Sequence, residues 1–495
     1  MVFNSFQFIV FFPIVTLIYF IIPSKLKWIW LLITSYYFYM SWDPRFAILI
    51  LISTVITYFS GILIEKANYI ENIDKRKKSK KIWVGLSFTL NLGILIFFKY
   101  FNFILDNVNF VLEKINISMI VPQFDVLLPV GISFYTFQAL SYTMDVYRGD
   151  VDVEHNLGKY ALFVSFFPQL VAGPIERSRT LLNQFNKDYS FDYGRVKNGL
   201  QLMIWGMFQK MVIADRLAII VNNVFNNYNQ YNGLEIIIAV ILFAIQIYCD
   251  FSSYSDIAIG SAEVLGFKLM KNFDTPYFSK SIAEFWRRWH ISLGTWFKDY
   301  LYIPLGGNRK GRAKNYRNIM VVFLASGLWH GASWNFVIWG FLHGIYQVIG
   351  KIMKPFRDRA VKILNIDRHS FSHRLYKIIV TFILVDFAWI FFRAPSFKDS
   401  IGIIKKMFYF NPWILIDGSI YNLGLDQNEI KIVIISLLIL FLVSLMKRRF
   451  NIREKINRQG ILFRWIIYFV AIFSILILGV YGPGFSAQQF IYFQF

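Results

Sequence analysis

Two of the six histidines lie where an imidazole has work to do. His330 sits in Leu328-Trp329-His330-Gly331-Ala332-Ser333, at the junction of two apolar runs. An ionisable residue at membrane depth is costly and marks a functional site by default. With a pKa near ~6.5, an imidazole can accept a hydroxyl's proton at working pH, so the chemistry on offer is general-base catalysis. The same position also suits a buried neutral histidine that bonds a carbonyl and pins a helix break. His290 follows Ile282-Ala283-Glu284-Phe285-Trp286-Arg287-Arg288-Trp289. Here Ile282, Phe285, Trp286, Trp289, Leu293, Trp296 and Phe297 recur at three- and four-residue spacing, which predicts one amphipathic helix. An interfacial helix with a tryptophan belt would explain that pattern without any reaction.

Other constellations are weaker. Asp250-Phe-Ser-Ser-Tyr-Ser-Asp256 is a dense polar patch at the end of an apolar run. It suits either the orientation of a histidine or substrate hydroxyl, or a polar contact between helices. Leu305-Gly-Gly-Asn-Arg-Lys-Gly311 has the glycines and bases of a phosphate loop but not the G-x-x-x-x-G-K-[ST] order, and a lipid-facing basic loop fits equally. His369 and His373 have metal-ligand spacing without a carboxylate or cysteine motif, so no metal site is expected. The single cysteine, Cys249, excludes an internal disulfide. No nucleophile elbow is visible. An enzyme built on these residues needs a lone histidine promoting direct transfer between two bound substrates.

The elements that would position such a site are membrane helices. Of 495 residues, 56 % are hydrophobic, 19 % aromatic and only 17 % charged. Soluble domains average about 45–50 % apolar and about 25 % charged, so disorder is excluded and a soluble enzyme is disfavoured. The net charge of +22 sits in short clusters between long apolar runs, which argues against a nucleic-acid face. Runs long enough to span, or nearly so, cover 5–22, 27–42, 46–64, 82–101, 124–146, 197–219, 235–262, 334–350, 375–393, 430–446 and 462–481. The run 318–331 is too short to cross alone. The run 158–173 contains Pro168 and ends at Gly173-Pro174, which predicts a re-entrant or broken helix. Irregular backbone at membrane depth survives only inside protein or beside a wet cavity, so these two segments are where a site belongs.

Orientation follows the bases. The stretches 65–81, 309–317, 351–374 and 447–458 are rich in Lys and Arg, whereas Val221–Gly233 (VNNVFNNYNQYNG) carries no charge. Placing the basic stretches in the cytoplasm puts both termini outside, with about 11–12 transmembrane helices. Segments 104–121 and 396–410 read as interfacial helices. The first apolar run lacks a basic flank and a cleavage site, so it reads as a retained helix. No internal repeat supports an inverted-repeat transporter. The expected architecture is all-α, with one membrane domain over 1–495. It comprises N-terminal helices (1–121), a motif-bearing core (122–350) and C-terminal helices (351–495).

Several long motifs in order resemble the membrane-bound O-acyltransferase family, and within it the bacterial alginate O-acetyltransferase branch. They are Pro129-Val-Gly-Ile-Ser-Phe-Tyr-Thr-Phe-Gln-Ala-Leu-Ser-Tyr142, Phe167-Pro-Gln-Leu-Val-Ala-Gly-Pro-Ile-Glu-Arg177, Tyr248–Asp256, Phe285-Trp-Arg-Arg-Trp-His-Ile-Ser292, Trp296–Arg309, Gly327–Trp334 and the closing Phe490–Phe495. The resemblance implies that an acyl group passes from a cytoplasmic thioester donor, through a tunnel enclosed by helices, to a hydroxyl. His330 falls on the family's essential histidine and His290 on its second motif histidine. Trp289, Trp329 and Asn335 beside them are candidates to line the tunnel, with Asp250 and Ser253 as weaker supports. Arg287, Arg288, Arg309 and Lys310 are candidates to receive a phosphate-bearing donor. That donor is acetyl-CoA or another acyl thioester, with no tightly bound cofactor. The implied setting is a bacterial cytoplasmic membrane and its lipid, with a polysaccharide acceptor, an extracytoplasmic esterase-like partner and no nucleic acid. D-alanyl transfer to teichoic acid, fed by an acyl carrier protein, is the alternative within the chemistry. A polysaccharide flippase is the alternative outside it. The segment Ile303–Arg309 favours the acetyl branch.

Overall fold

Apolar runs as long as a bilayer is thick leave the backbone no partner but itself, and so they fold as helices. The computed structural model describes residues 1–117, 128–171 and 173–481, and every regular element among them is helical. Parts of the segments 104–121, 124–146 and 158–173, together with the closing motif 490–495, lie outside the described residues. Six described helices are long and apolar enough to cross a membrane: Pro44–Tyr69, Ile73–Lys114, Leu234–Leu265, Phe371–Arg393, Gln427–Lys447 and Ile461–Leu478. Trp334–Ile352 and Lys354–Ile363, bent by 51°, add a seventh if taken together. Other expected spans form shorter or less apolar helices, among them Phe6–Ile21, Ser24–Met40 and Ile132–Arg148. The chain is an all-α, polytopic membrane protein.

Two compact units divide the chain. One holds Met1–Leu200 with Ile257–Met270, and the other holds Gln201–Asp256 with Lys271–Phe495. In the first, Pro44–Lys66 packs against both Ile73–Leu95 and Ile132–Arg148. Buried hydroxyls and amides join these helices to one another and to Leu157–Ser165: Ser53 donates to Asn91 at 2.5 Å, Ser87 meets Thr143 at 3.1 Å, and Tyr160 donates to Thr57 at 2.7 Å. The 158–173 run is broken as expected, into Leu157–Ser165 and Phe167–Leu170, and the freed Phe167 N–H donates to Ser35. Residues 104–114 differ from expectation. With no proline or glycine in 96–103 to stop it, the helix Ile73–Leu95 runs on through a π turn at Ile96–Tyr100 into Phe101–Lys114.

In the second unit, Arg312–His330 and Trp334–Ile352 form a helical hairpin. The short run 318–331 is thus the apolar end of a longer helix, extended by the polar residues Arg312–Arg317. The two helices cross nearly backbone to backbone. A Cβ on Gly327 would lie 2.2 Å from the Phe336 carbonyl oxygen, and one on Gly340 would lie 2.3 Å from that of Phe323. Phe371–Arg393 packs on Trp334–Ile352. Ser396 caps Phe397–Met407, the helix expected near 396–410.

Candidate active site

His330 is the last residue of Arg312–His330, and the chain turns through extended Gly331 to Ser333, whose hydroxyl caps the return helix. The hairpin therefore presents His330 at its tip, 3 % exposed. Aromatic rings surround the imidazole: Trp339 at 4.9 Å, Trp329 at 5.0 Å and Phe392 at 5.3 Å between centroids, each close to edge-on. Trp339 comes from the return helix and Phe392 from Phe371–Arg393, so three helices hold one side chain. Asn335 reinforces the arrangement, its amide donating to the Ala394 carbonyl at 2.7 Å. Walls of this kind keep water away from what they enclose.

The expected single helix over Ile282–Phe297 is a finding to correct. The structure has two short helices, Ile282–Arg288 and Ile291–Phe297, and the break is His290 itself at φ +45°. A left-handed backbone is uncommon outside glycine and persists only where the surroundings enforce it. Asn272 does so: its Oδ1 accepts from the Ser292 N–H at 3.2 Å and from the Ser292 hydroxyl at 2.9 Å, and it lies 3.2 Å from His290 Nδ1. Because the Ser292 backbone N–H fixes that atom as an oxygen, Nδ1 is the donor and Nε2 carries the basic lone pair. Ser255 in turn accepts from the Asn272 amide at 3.0 Å. Burial pushes the His290 pKa down to about 3, so the ring is neutral at working pH.

Trp329 connects the two histidines, 5.9 Å from the His290 ring and 5.0 Å from that of His330. Trp289 lies in the adjoining aromatic layer, stacked on Phe285 and 5.1 Å from Trp389. Thus His330, His290, Trp329, Trp289 and Asn335 all belong to one unit and form a connected group. Asp250 and Ser253 have other attachments. Asp250 accepts from buried Lys210 at 2.6 Å, and Ser253 donates to the Asp250 backbone carbonyl. Arg288 pairs with Glu284 and Asp274, whereas Arg287, Arg309 and Lys310 are exposed.

Two features escaped sequence reasoning. Lys210 is a buried cation paired with Asp215 at 2.8 Å as well as with Asp250, on a π turn at Phe208–Ala214 that no residue pattern announces. His343 is 4.9 Å from the Trp339 ring that also touches His330, and its Nδ1 accepts from the Trp286 indole at 3.2 Å. Helical spacing from Trp339 was the available signal for it. Among the described residues no group of three His, Cys, Asp or Glu is placed to hold a metal ion.

Comparison with known proteins gives the class. The chain belongs to the membrane-bound O-acyltransferase family, whose pattern matches residues 151–392, and it is an O-acyltransferase acting on hydroxyl groups. Particular relatives narrow the comparison. The chain is 38 % identical over 425 residues to a probable alginate O-acetylase of Pseudomonas aeruginosa, covering 86 % of this chain and 78 % of that one. A peptidoglycan O-acetyltransferase of Helicobacter pylori is 34 % identical over 443 residues, with 82 % and 80 % covered. A teichoic acid D-alanyltransferase of Bacillus subtilis is 26 % identical over 279 residues, with 54 % and 69 % covered.

Proposed function

We propose that this protein is an O-acetyltransferase for a cell-surface polysaccharide, with His330 as general base. The observation that carries this reading is the ring-lined His330 in a chain that shares 38 % identity over most of its length with an alginate O-acetylase. His330 takes the proton of the attacking hydroxyl as that oxygen adds to the thioester carbonyl. The C–S bond breaks, an ester C–O bond forms, and the proton passes from the imidazolium to the departing thiolate. Such a base is typically worth about 10²–10⁴ in rate. His290, fixed as the Nδ1–H tautomer, orients donor or acceptor through Nε2, while Trp289, Trp329 and Asn335 line the path.

The donor is acetyl-CoA or another acyl thioester on the cytoplasmic side, where exposed Arg287, Arg309 and Lys310, with Arg288 alongside, offer positive charge. The acceptor side faces outward across a bacterial cytoplasmic membrane with both chain termini outside, where an esterase-like partner completes transfer to the sugar. The D-alanyl relative covers 54 % of the chain against 86 % for the acetylase, which supports acetyl over alanyl.

The test is purified protein in vesicles supplied with labelled acetyl donor. Label must appear as a covalent ester with wild type and be lost with a folded His330→Ala protein. Label that crosses the bilayer without ester formation would mean a transporter, and alanyl esters in the product would mean the other branch.

A further inference from the structure

The uncharged stretch 221–233 does more than mark topology. Its asparagines face two cations that have no carboxylate of their own. Arg393 Nη2 donates to Asn222 Oδ1 at 2.6 Å and to Asn226 Oδ1 at 3.3 Å, one helical turn apart, while its guanidinium lies 5.4 Å from the Phe225 ring. Lys406 Nζ donates to the Asn229 carbonyl at 2.9 Å and to Asn232 Oδ1 at 3.1 Å. Neither cation forms an ion pair among the described residues, and both are partly exposed. The neighbouring carboxylate of Glu235 is occupied in capping the Asn232 N–H at 2.8 Å. Phe392, the residue before Arg393, packs on His330, and the Ala394 carbonyl after it holds Asn335. Amide oxygens orient a guanidinium without neutralising it. No carboxylate among the described residues neutralises either cation, and Arg393 keeps donors to spare in its planar fork. A ledge rich in amides and tyrosines, with two such charges, has the chemistry of a surface for a polyanionic sugar.

We infer that Arg393 and Lys406, held by Asn222, Asn226, Asn229 and Asn232, form an anion-binding subsite beside His330 for a carboxylate- or phosphate-bearing saccharide. This deepens the proposed function and rests on it: the ledge holds the polymer at the outer face, where the esterase-like partner completes transfer to the sugar. A bidentate charge-assisted pair from Arg393 fixes one anionic group, and Lys406 meets the next along the polymer.

The experiment is binding to the full chain in lipid nanodiscs. The probes are an oligouronate, a phosphorylated oligosaccharide, a neutral oligosaccharide of equal length and an acidic peptide. One or both anionic sugars should bind at least about tenfold more tightly than the neutral one, as expected for a charged hydrogen-bonded pair. Which of the two does so identifies the anion. Arg393→Gln should abolish the preference, Arg393→Lys should keep part of it, and Lys406→Gln should reduce it severalfold. Should Arg393→Gln fail to fold, the Lys406→Gln result stands in its place. Equal binding of neutral and anionic sugars, an unchanged preference in these variants, or an Arg393-dependent response to the peptide alone would overturn the subsite. His330→Gln should bind as wild type, so loss of the proposed reaction and loss of this subsite are read separately.

Discussion

His290 is held by an amide and a hydroxyl as well as by rings, whereas His330 is boxed by rings set edge-on, and a single indole, Trp329, touches both. At His290 the backbone itself is bent to suit, and Asn272 with Ser292 fixes which nitrogen bears the proton. At His330 the backbone is an ordinary helix end, and Trp339, Trp329 and Phe392 box the ring by shape. A polar cradle sets the orientation of the His290 ring, which fits the orienting role proposed for it. An aromatic box restrains the His330 ring by shape, which fits the base role proposed for it.

The largest expected effect tests that contrast directly. His330→Gln should lower kcat by about 10²–10⁴ with an unchanged melting temperature, whereas His290→Gln should keep measurable turnover. Equal losses in both would erase the distinction. A third polar site, Lys210 with Asp215 and Asp250, sharpens the comparison from the side of stability. Lys210→Met strands two buried carboxylates and should cost about 3–5 kcal/mol in denaturant unfolding. A variant as stable as wild type would show that the cluster is not structural. Next, Asn272→Ala frees the His290 tautomer and should lower kcat about tenfold with little change in KM, the size expected for one lost orienting hydrogen bond.

The pH dependence of stability supplies a further test. Because burial holds the folded pKa of His290 near 3 against its ordinary value of 6.5, the unfolded chain binds a proton that the fold refuses. Its contribution to stability is intact above 6.5 and is lost as pH falls toward about 3, at up to about 1.4 kcal/mol per pH unit. His290→Asn should flatten that slope. An identical slope in the variant would place the acid sensitivity elsewhere.

Much of this was legible in advance, for identifiable reasons. Apolar runs report helices directly, and a histidine between two of them reports its own oddity, so the His330 break was readable from Leu328 to Ser333. The break at His290 was not, because the heptad-like spacing of Ile282 to Phe297 favours one helix, and the atom that overrules it, Asn272 Oδ1, lies 18 residues upstream of His290. Lys210 hid for a similar reason. Its partner Asp250 is 40 residues away, and a π turn leaves no periodic trace in the residues that form it.

The near contact of Gly327 with Phe336 and of Gly340 with Phe323 has a consequence for how this protein tolerates change. Ile461–Leu478 has no buried residue, so one apolar side chain can replace another along its whole length at little cost. At the hairpin crossing the design lies in missing atoms. One added methyl group would wedge the two helices apart and carry the tip histidine with them, leaving composition, charge and hydropathy almost untouched. Inactive variants of this protein should therefore include some whose sequences look entirely conservative.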